Sequence, residues 1–199
     1  MTQLKHNLFT LACRKGTCIS LNVKVLTALM VVALFFGGSY YIYMEEQGNF
    51  HAITAGEAYR SAILDRDELE HYIRKYHIKS ILNLLGEHPR DAWYREELAV
   101  SAEQNVKHYD LSMKADREPS EDQVQQLLTI IRTTPRPLLF HCKKGADRSG
   151  LVAAMWKVIV NKMPKSEAAK NLSIWYGHIP VGNTIAMDRF FEKWIPALD

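Results

Sequence analysis

The stretch Pro137-Leu138-Leu139-Phe140-His141-Cys142-Lys143-Lys144-Gly145-Ala146-Asp147-Arg148-Ser149-Gly150-Leu151-Val152-Ala153-Ala154-Met155-Trp156 decides the fold. Its opening apolar run follows a proline break and predicts a short buried strand. The run from Gly150 to Val160 carries one charge, Lys157, and predicts a largely buried helix. A strand therefore passes through a tight loop into a helix N-terminus. Such a loop turns several backbone N–H groups inward as an anion-binding nest, with the positive end of the helix dipole behind it. Cys142 sits at the mouth of the nest, where a thiolate is favoured over a thiol. Arg148, six residues on, can fork two donors onto a phosphate.

Each residue of the loop has a chemical task there. Cys142 would attack phosphorus and carry a covalent phosphocysteine. Arg148 and the backbone amides of Lys143, Lys144, Gly145, Ala146 and Asp147 would bind the phosphoryl oxygens. Ser149 can donate its hydroxyl to the sulfur and ease its departure in a second step. His141 is read as orienting the loop and supporting the thiolate, since a thiolate needs no base. Gly145 lets the chain turn where a side chain would crowd the anion, and Lys143 and Lys144 add positive charge at the rim. The chemistry calls for no metal and no other cofactor.

The pattern His-Cys, five residues, Arg-Ser-Gly resembles the signature of the cysteine-dependent protein tyrosine and dual-specificity phosphatases. Its Gly-Ala-Asp-Arg-Ser-Gly form looks like bacterial members, including membrane-anchored or exported ones. Tyr59-Arg60-Ser61 is similar to a stretch near the start of related bacterial phosphatases. Arg60 itself reads as a scaffold residue rather than a substrate ligand. The resemblance runs from Phe50 to the C-terminus. It implies an α/β fold with a central, mainly parallel sheet flanked by helices, and a second catalytic group on a separate loop that protonates the leaving oxygen. Asp116, about 26 residues before Cys142 in the charged loop Ser112-Met113-Lys114-Ala115-Asp116-Arg117-Glu118-Pro119, is the candidate, with Glu118 and Asp110 as rivals. His178 is read as a loop or packing histidine rather than a base.

The rest of the chain agrees with alternating strands and helices. A strand is expected over 57–62, after a connector at 45–56. Apolar Leu69, Tyr72, Ile73 and Tyr76 have helical spacing between Asp65 and His77, with acids in the first turn and bases in the last. Strands follow at 79–85 and 106–111, with a helix opened by Pro89 between them. Ser120 and Gln123 form a capping box before a helix whose apolar face is Val124, Leu127, Leu128 and Ile131. Two more helices are expected, from Lys165 to about Tyr176 and from Asn183 to Trp194.

The N-terminal quarter is different. Residues 1–24 hold Lys5, His6, Arg14, Lys15 and Lys24 and no acid, and residues 25–44 are uncharged. About 20 such residues are enough to cross a bilayer as a helix. Tyr40, Tyr41 and Tyr43 end the run as an interfacial belt would, and Glu45 and Glu46 follow it. Positive before and negative after predicts a cytoplasmic leader, a transmembrane anchor and an extracytoplasmic domain over 57–199, at the inner membrane of a bacterium. A cleaved signal peptide, leaving a secreted domain, and a buried core helix are the alternatives. Net charge is +3 and no basic stripe with interleaved aromatics occurs, which excludes a nucleic-acid reading. Of three cysteines only Cys142 lies in the catalytic part; Cys13 and Cys18 lack a second ligand pair for zinc. The expected activity is phosphomonoester hydrolysis, on phosphotyrosine in proteins. The alternatives are a phosphorylated lipid or glycolipid, and a phosphate-binding pseudo-enzyme acting as a scaffold.

Overall fold

The computed structural model describes residues 21–196, so Cys13, Cys18 and most of the basic leader lie outside the described residues. The chain divides between Ile42 and Tyr43 into two units. Helix α1 (Leu21–Glu46) contains the uncharged run, and its segment Val23–Glu46 is long and apolar enough to cross a membrane. A helix of that length and composition suits a span and a signal sequence alike.

From Tyr43 onward, five strands form one sheet in the order β1-β2-β5-β3-β4. They are β1 (His51–Thr54), β2 (Ala58–Ser61), β3 (Ser80–Asn83), β4 (Lys107–Asp110) and β5 (Leu138–His141). β2, β5, β3 and β4 run parallel, and β1 adds to the edge antiparallel to β2. The signature strand β5 is thus central, and its C-terminal end delivers Cys142 beside the ends of β2 and β3. That is where ligands bind in sheets of this kind.

Side chains alternate across the sheet with period two. Ile81 and Leu139 point into one apolar cluster, with Leu69, Tyr72 and Ile73 of α2 (Arg66–Tyr76) and Val100 of α3 (Ala92–Glu103). Leu82, Leu138 and Phe140 point into the other. There they meet Leu127 and Ile131 of α4 (Glu121–Thr133), Leu151 and Trp156 of α5 (Asp147–Ile159), and Phe191 of α7 (Ala186–Lys193). Full burial of each large apolar side chain contributes roughly 1.5–3 kcal/mol.

Capping chemistry fixes two helices where the sequence places them. Asp65 and Glu68 bond each other's backbone at the start of α2, which ends at His77 in the left-handed region, φ 53°. Ser120 and Gln123 do the same for α4. Three expectations need correction. Residues 51–54, expected within the connector, form β1: a tight turn, Glu57 N–H to Thr54 C=O at 2.9 Å, folds them back on β2. The helix expected from Lys165 to Tyr176 is a short α6 (Lys165–Ala168) and two 3-10 turns, Ala169–Asn171 and Ile174–Tyr176. Asn171 ends it, its side chain donating to Ala168 C=O while its own carbonyl is taken by Arg60. The last helix starts at Ala186, after a 3-10 turn at Gly182–Ile185.

Candidate active site

The loop from Cys142 to Gly150 is built by its neighbours as much as by itself. Arg60, fully buried on β2, donates through Nη2 to the carbonyls of Gly145 and Ala146 at 2.8 and 2.9 Å. Its Nη1 reaches Asn171 C=O at 2.9 Å, and its guanidinium lies over the Tyr176 ring at 4.5 Å. A trans peptide points its C=O and N–H in opposite directions. Holding two carbonyls from outside therefore turns the amides of Ala146 and Asp147 the other way. Gly145 has φ +65°, and a Cβ there would lie 2.6 Å from Ala62 N and 2.7 Å from Ser61 C. The glycine is thus needed for the close approach of the loop to the end of β2, a different reason from crowding of an anion.

Cys142 is 2% exposed. Burial alone would push its thiol up. The Arg148 guanidinium, the Ser149 hydroxyl and the backbone amides of Ser149 and Lys144 outweigh that, and hold it below its ordinary value. Ser149 Oγ is 3.5 Å from the sulfur. Arg148 donates from Nη1 to Met113 C=O at 3.1 Å, and its Nε is buried without a protein partner. Met113 belongs to the loop between β4 and α4 that carries Asp116, so this bond lays that loop against the signature. Lys143 and Lys144 are exposed at the rim.

The three acids considered for proton transfer differ in how they are held. Both oxygens of Asp110 are engaged, one by Asn83 at 2.7 Å and one by Tyr94 at 2.8 Å. Glu118 pairs with Lys193 at 3.0 Å and Arg189 at 4.0 Å. Asp116 is 53% exposed and its charged contact is its neighbour Arg117 at 3.6 Å, so among the described residues its carboxylate is tied to no other element by an ion pair. Asp147 aims its carboxylate away from the loop, at His178 Nδ1 at 2.7 Å, and His178 Nε2 meets Asp188 at 2.8 Å. Burial lowers the His178 pKa, but the two carboxylates outweigh it and raise it. His178 thus joins α5 to α7 as a packing bridge, leaving Asp147 only its backbone N–H for the loop.

Sequence reasoning missed Glu97. It is 4% exposed on α3, with His108 Nε2 at 2.7 Å and His141 Nε2 at 2.9 Å. The His141 approach is off the line of a hydrogen bond, so it is a close polar contact that becomes ionic only with a protonated ring. Burial would raise the Glu97 carboxyl. The two histidines reverse this and bring it down to about 2. His108 also lies 3.4 Å from Asp110, so a polar chain runs behind the loop from His141 to the β4 end. The signal for it was a Glu three residues after Tyr94 and three before Val100, both on the buried face of α3. Among the described residues no group of three or more His, Cys, Asp or Glu is arranged to hold a metal ion.

Comparison with known proteins bears on this geometry. A family model described as DSP-PTPase phosphatase fused to NAD+ Kinase matches residues 59–179. The curated protein Inositol diphosphatase SIW14 of Saccharomyces cerevisiae is 26% identical over 118 residues, 57% of this chain; the match spans 40% of that relative's length. Among solved structures, P. aeruginosa TpbA is 22% identical with TM-score 0.57, covering 74% of this chain and 85% of that one. The TpbA structures include a cysteine-to-serine variant in complex with pTyr. The core catalytic domain of S. cerevisiae SIW14, solved with citrate, is 23% identical with TM-score 0.57 and the same two coverages. These likenesses show a shared fold.

Proposed function

This chain belongs to the DSP-PTPase phosphatase family, and from that premise we propose that it is a cysteine-dependent phosphomonoester hydrolase acting on phosphotyrosine in proteins. The observation that carries the reading is the sulfur of Cys142, held below its ordinary pKa by Arg148, Ser149 and two loop amides. Cys142 Sγ attacks phosphorus as the ester P–O bond breaks, and Asp116 gives its proton to the departing oxygen. The phosphoryl group rests on sulfur, its oxygens taken by Arg148 and the amides of Lys143 to Asp147. Water then attacks phosphorus, giving its proton to the Asp116 carboxylate. The S–P bond breaks with Ser149 donating to the sulfur, and inorganic phosphate leaves. His141 transfers no proton in this scheme; it orients the loop against Glu97.

A second reading has a specific support. Lys143 and Lys144 are exposed beside the signature, where they suit a substrate with several phosphate groups, and one relative is named an inositol diphosphatase. A polyphosphorylated inositol, free or as a lipid headgroup, is that alternative. The proposed domain organisation is a leader at 1–24, an anchor at 25–44 in a bacterial inner membrane, a linker at 45–56, and the phosphatase domain at 57–199 outside the cytoplasm. A scaffold without turnover is disfavoured by the intact set Cys142, Arg148 and Ser149.

The test is turnover by the full chain, in detergent with EDTA present, of p-nitrophenyl phosphate, a phosphotyrosine peptide and an inositol polyphosphate. Activity on the peptide is expected to exceed that on the inositol; the reverse order selects the second reading. Cys142→Ser should abolish turnover. Arg148→Lys should fail as well, because a point charge does not replace the planar fork. A Cys142→Ser variant that still turns over would refute the mechanism.

A further inference from the structure

Asn49 stands outside the signature and outside every sequence feature singled out above, yet it is 6% exposed and all its side-chain polar atoms are used. Its Nδ2 donates to Lys144 C=O at 2.9 Å and to Tyr176 C=O at 3.0 Å. Its Oδ1 lies 2.8 Å from His51 Nε2. The two carbonyls can only accept, which sets the amide nitrogen toward them and Oδ1 toward the ring, so His51 donates from Nε2. Burial, and then the charge of Arg60, bring the His51 pKa down to about 4, so the ring is neutral near pH 7. The backbone N–H of Asn49 bonds Met44 C=O at 2.7 Å, closing the last turn of α1, and its φ of +46° is one that Asn tolerates better than most residues.

We propose that Asn49 is a positioning residue for the phosphate loop: by holding Lys144 C=O from outside, it turns the N–H of Gly145 toward the phosphate and ties that peptide to the end of α1. With Arg60 on the next two carbonyls, three consecutive peptides of the loop are oriented by residues from the N-terminal strap and β2. A nest binds an anion only while its N–H groups converge, so a loop freed at one carbonyl loses a donor to the alternative orientation. The inference rests on the phosphatase reading above.

The test measures the inhibition constant of inorganic phosphate against p-nitrophenyl phosphate turnover by the full chain in detergent. Asn49→Gly removes the side chain without backbone strain. Asn49→Asp keeps the shape but sets a carboxylate against two carbonyl oxygens. Losing two neutral hydrogen bonds predicts a rise of about tenfold in the constant for Asn49→Gly, and a larger rise for Asn49→Asp. Alkylation of Cys142 by iodoacetamide at fixed pH should stay within about twofold of the parent in Asn49→Gly, because the amides of Lys144 and Ser149 that face the sulfur lie in other peptides. An inhibition constant does not depend on how much enzyme is folded, so general destabilisation cannot mimic the effect. Constants unchanged in both variants, whatever happens to kcat or the melting temperature, overturn the assignment of Asn49. A parent chain that phosphate does not inhibit overturns the phosphatase reading, and this one with it.

Discussion

Replacing Glu97 by Gln keeps the shape of the α3 face and removes one buried charge. The carboxylate lies between His108 and His141 at 2.7 and 2.9 Å, and its pKa falls from 4.5 to about 2. At about 1.4 kcal/mol per pH unit, that drop corresponds to about 3 kcal/mol of stability. Breaking a buried ion pair from one side costs a similar 3–5 kcal/mol. Because the folded pKa lies below the unfolded one, the contribution is present above about pH 4.5 for as long as the two histidines are protonated, since the pairs are ionic only then. It is lost as pH falls through about 2. Urea unfolding of the full chain in detergent, followed by tryptophan fluorescence, should give Glu97→Gln a deficit of about 3 kcal/mol at pH 5. The gap to the parent should narrow by about 1 kcal/mol between pH 5 and pH 3.5. A deficit under about 0.5 kcal/mol at pH 5, or a gap that stays constant across that acid range, would refute the electrostatic account of the buried chain.

Asp116→Asn should slow phosphotyrosine hydrolysis by roughly 10²–10⁴ and an aryl phosphate with a very acidic phenol much less, since only the poor leaving group needs the proton. Equal losses on both substrates, measured as kcat/KM, would remove the acid role from Asp116. A soluble piece starting at Phe50 should melt at least about 5 °C below one starting at Tyr43, because it lacks the Gly48 C=O bond to Ala62 N–H, the Gln47 C=O bond to Tyr72 and the Asn49 clamp. Equal melting curves for the two pieces would show the strap to be dispensable.

What the sequence revealed depended on whether local chemistry or tertiary contact did the specifying. Capping boxes at Asp65 and Ser120, and the apolar spacing after each, are local and placed α2 and α4 to within a residue or so. The strand–loop–helix around Cys142 was legible for the same reason. β1 was hidden because a single residue of His51–Thr54, Ile53, is buried, so no alternation marks it. The break after Ala168 was hidden because it is made by Arg60, more than a hundred residues earlier in the chain. Glu97 and Asn49 look like any surface polar residue in the sequence. Burial and partners drawn from distant segments give them their roles, and no spacing rule reports those. Phe50 belongs with them: its ring stacks on Tyr72 at 3.8 Å between centroids, which makes a nominal connector part of the domain.

In the proposed mechanism Cys142 is the nucleophile, and the lowered pKa of its sulfur also makes it a target for oxidation. It is the single cysteine among the described residues, the other two lying in the leader. A thiolate reacts with peroxide to give a sulfenic acid, which survives as a reversible state when a nearby thiol captures it as a disulfide. The catalytic domain holds no second thiol for that purpose. The reversible capture left inside the domain is a sulfenamide with a backbone nitrogen; a sulfenic acid that escapes it is carried by sustained peroxide to the sulfinic state, which is irreversible without a dedicated repair enzyme. Recovery from a brief oxidative pulse falls to small thiols diffusing in from outside, through a loop that leaves the cysteine 2% exposed.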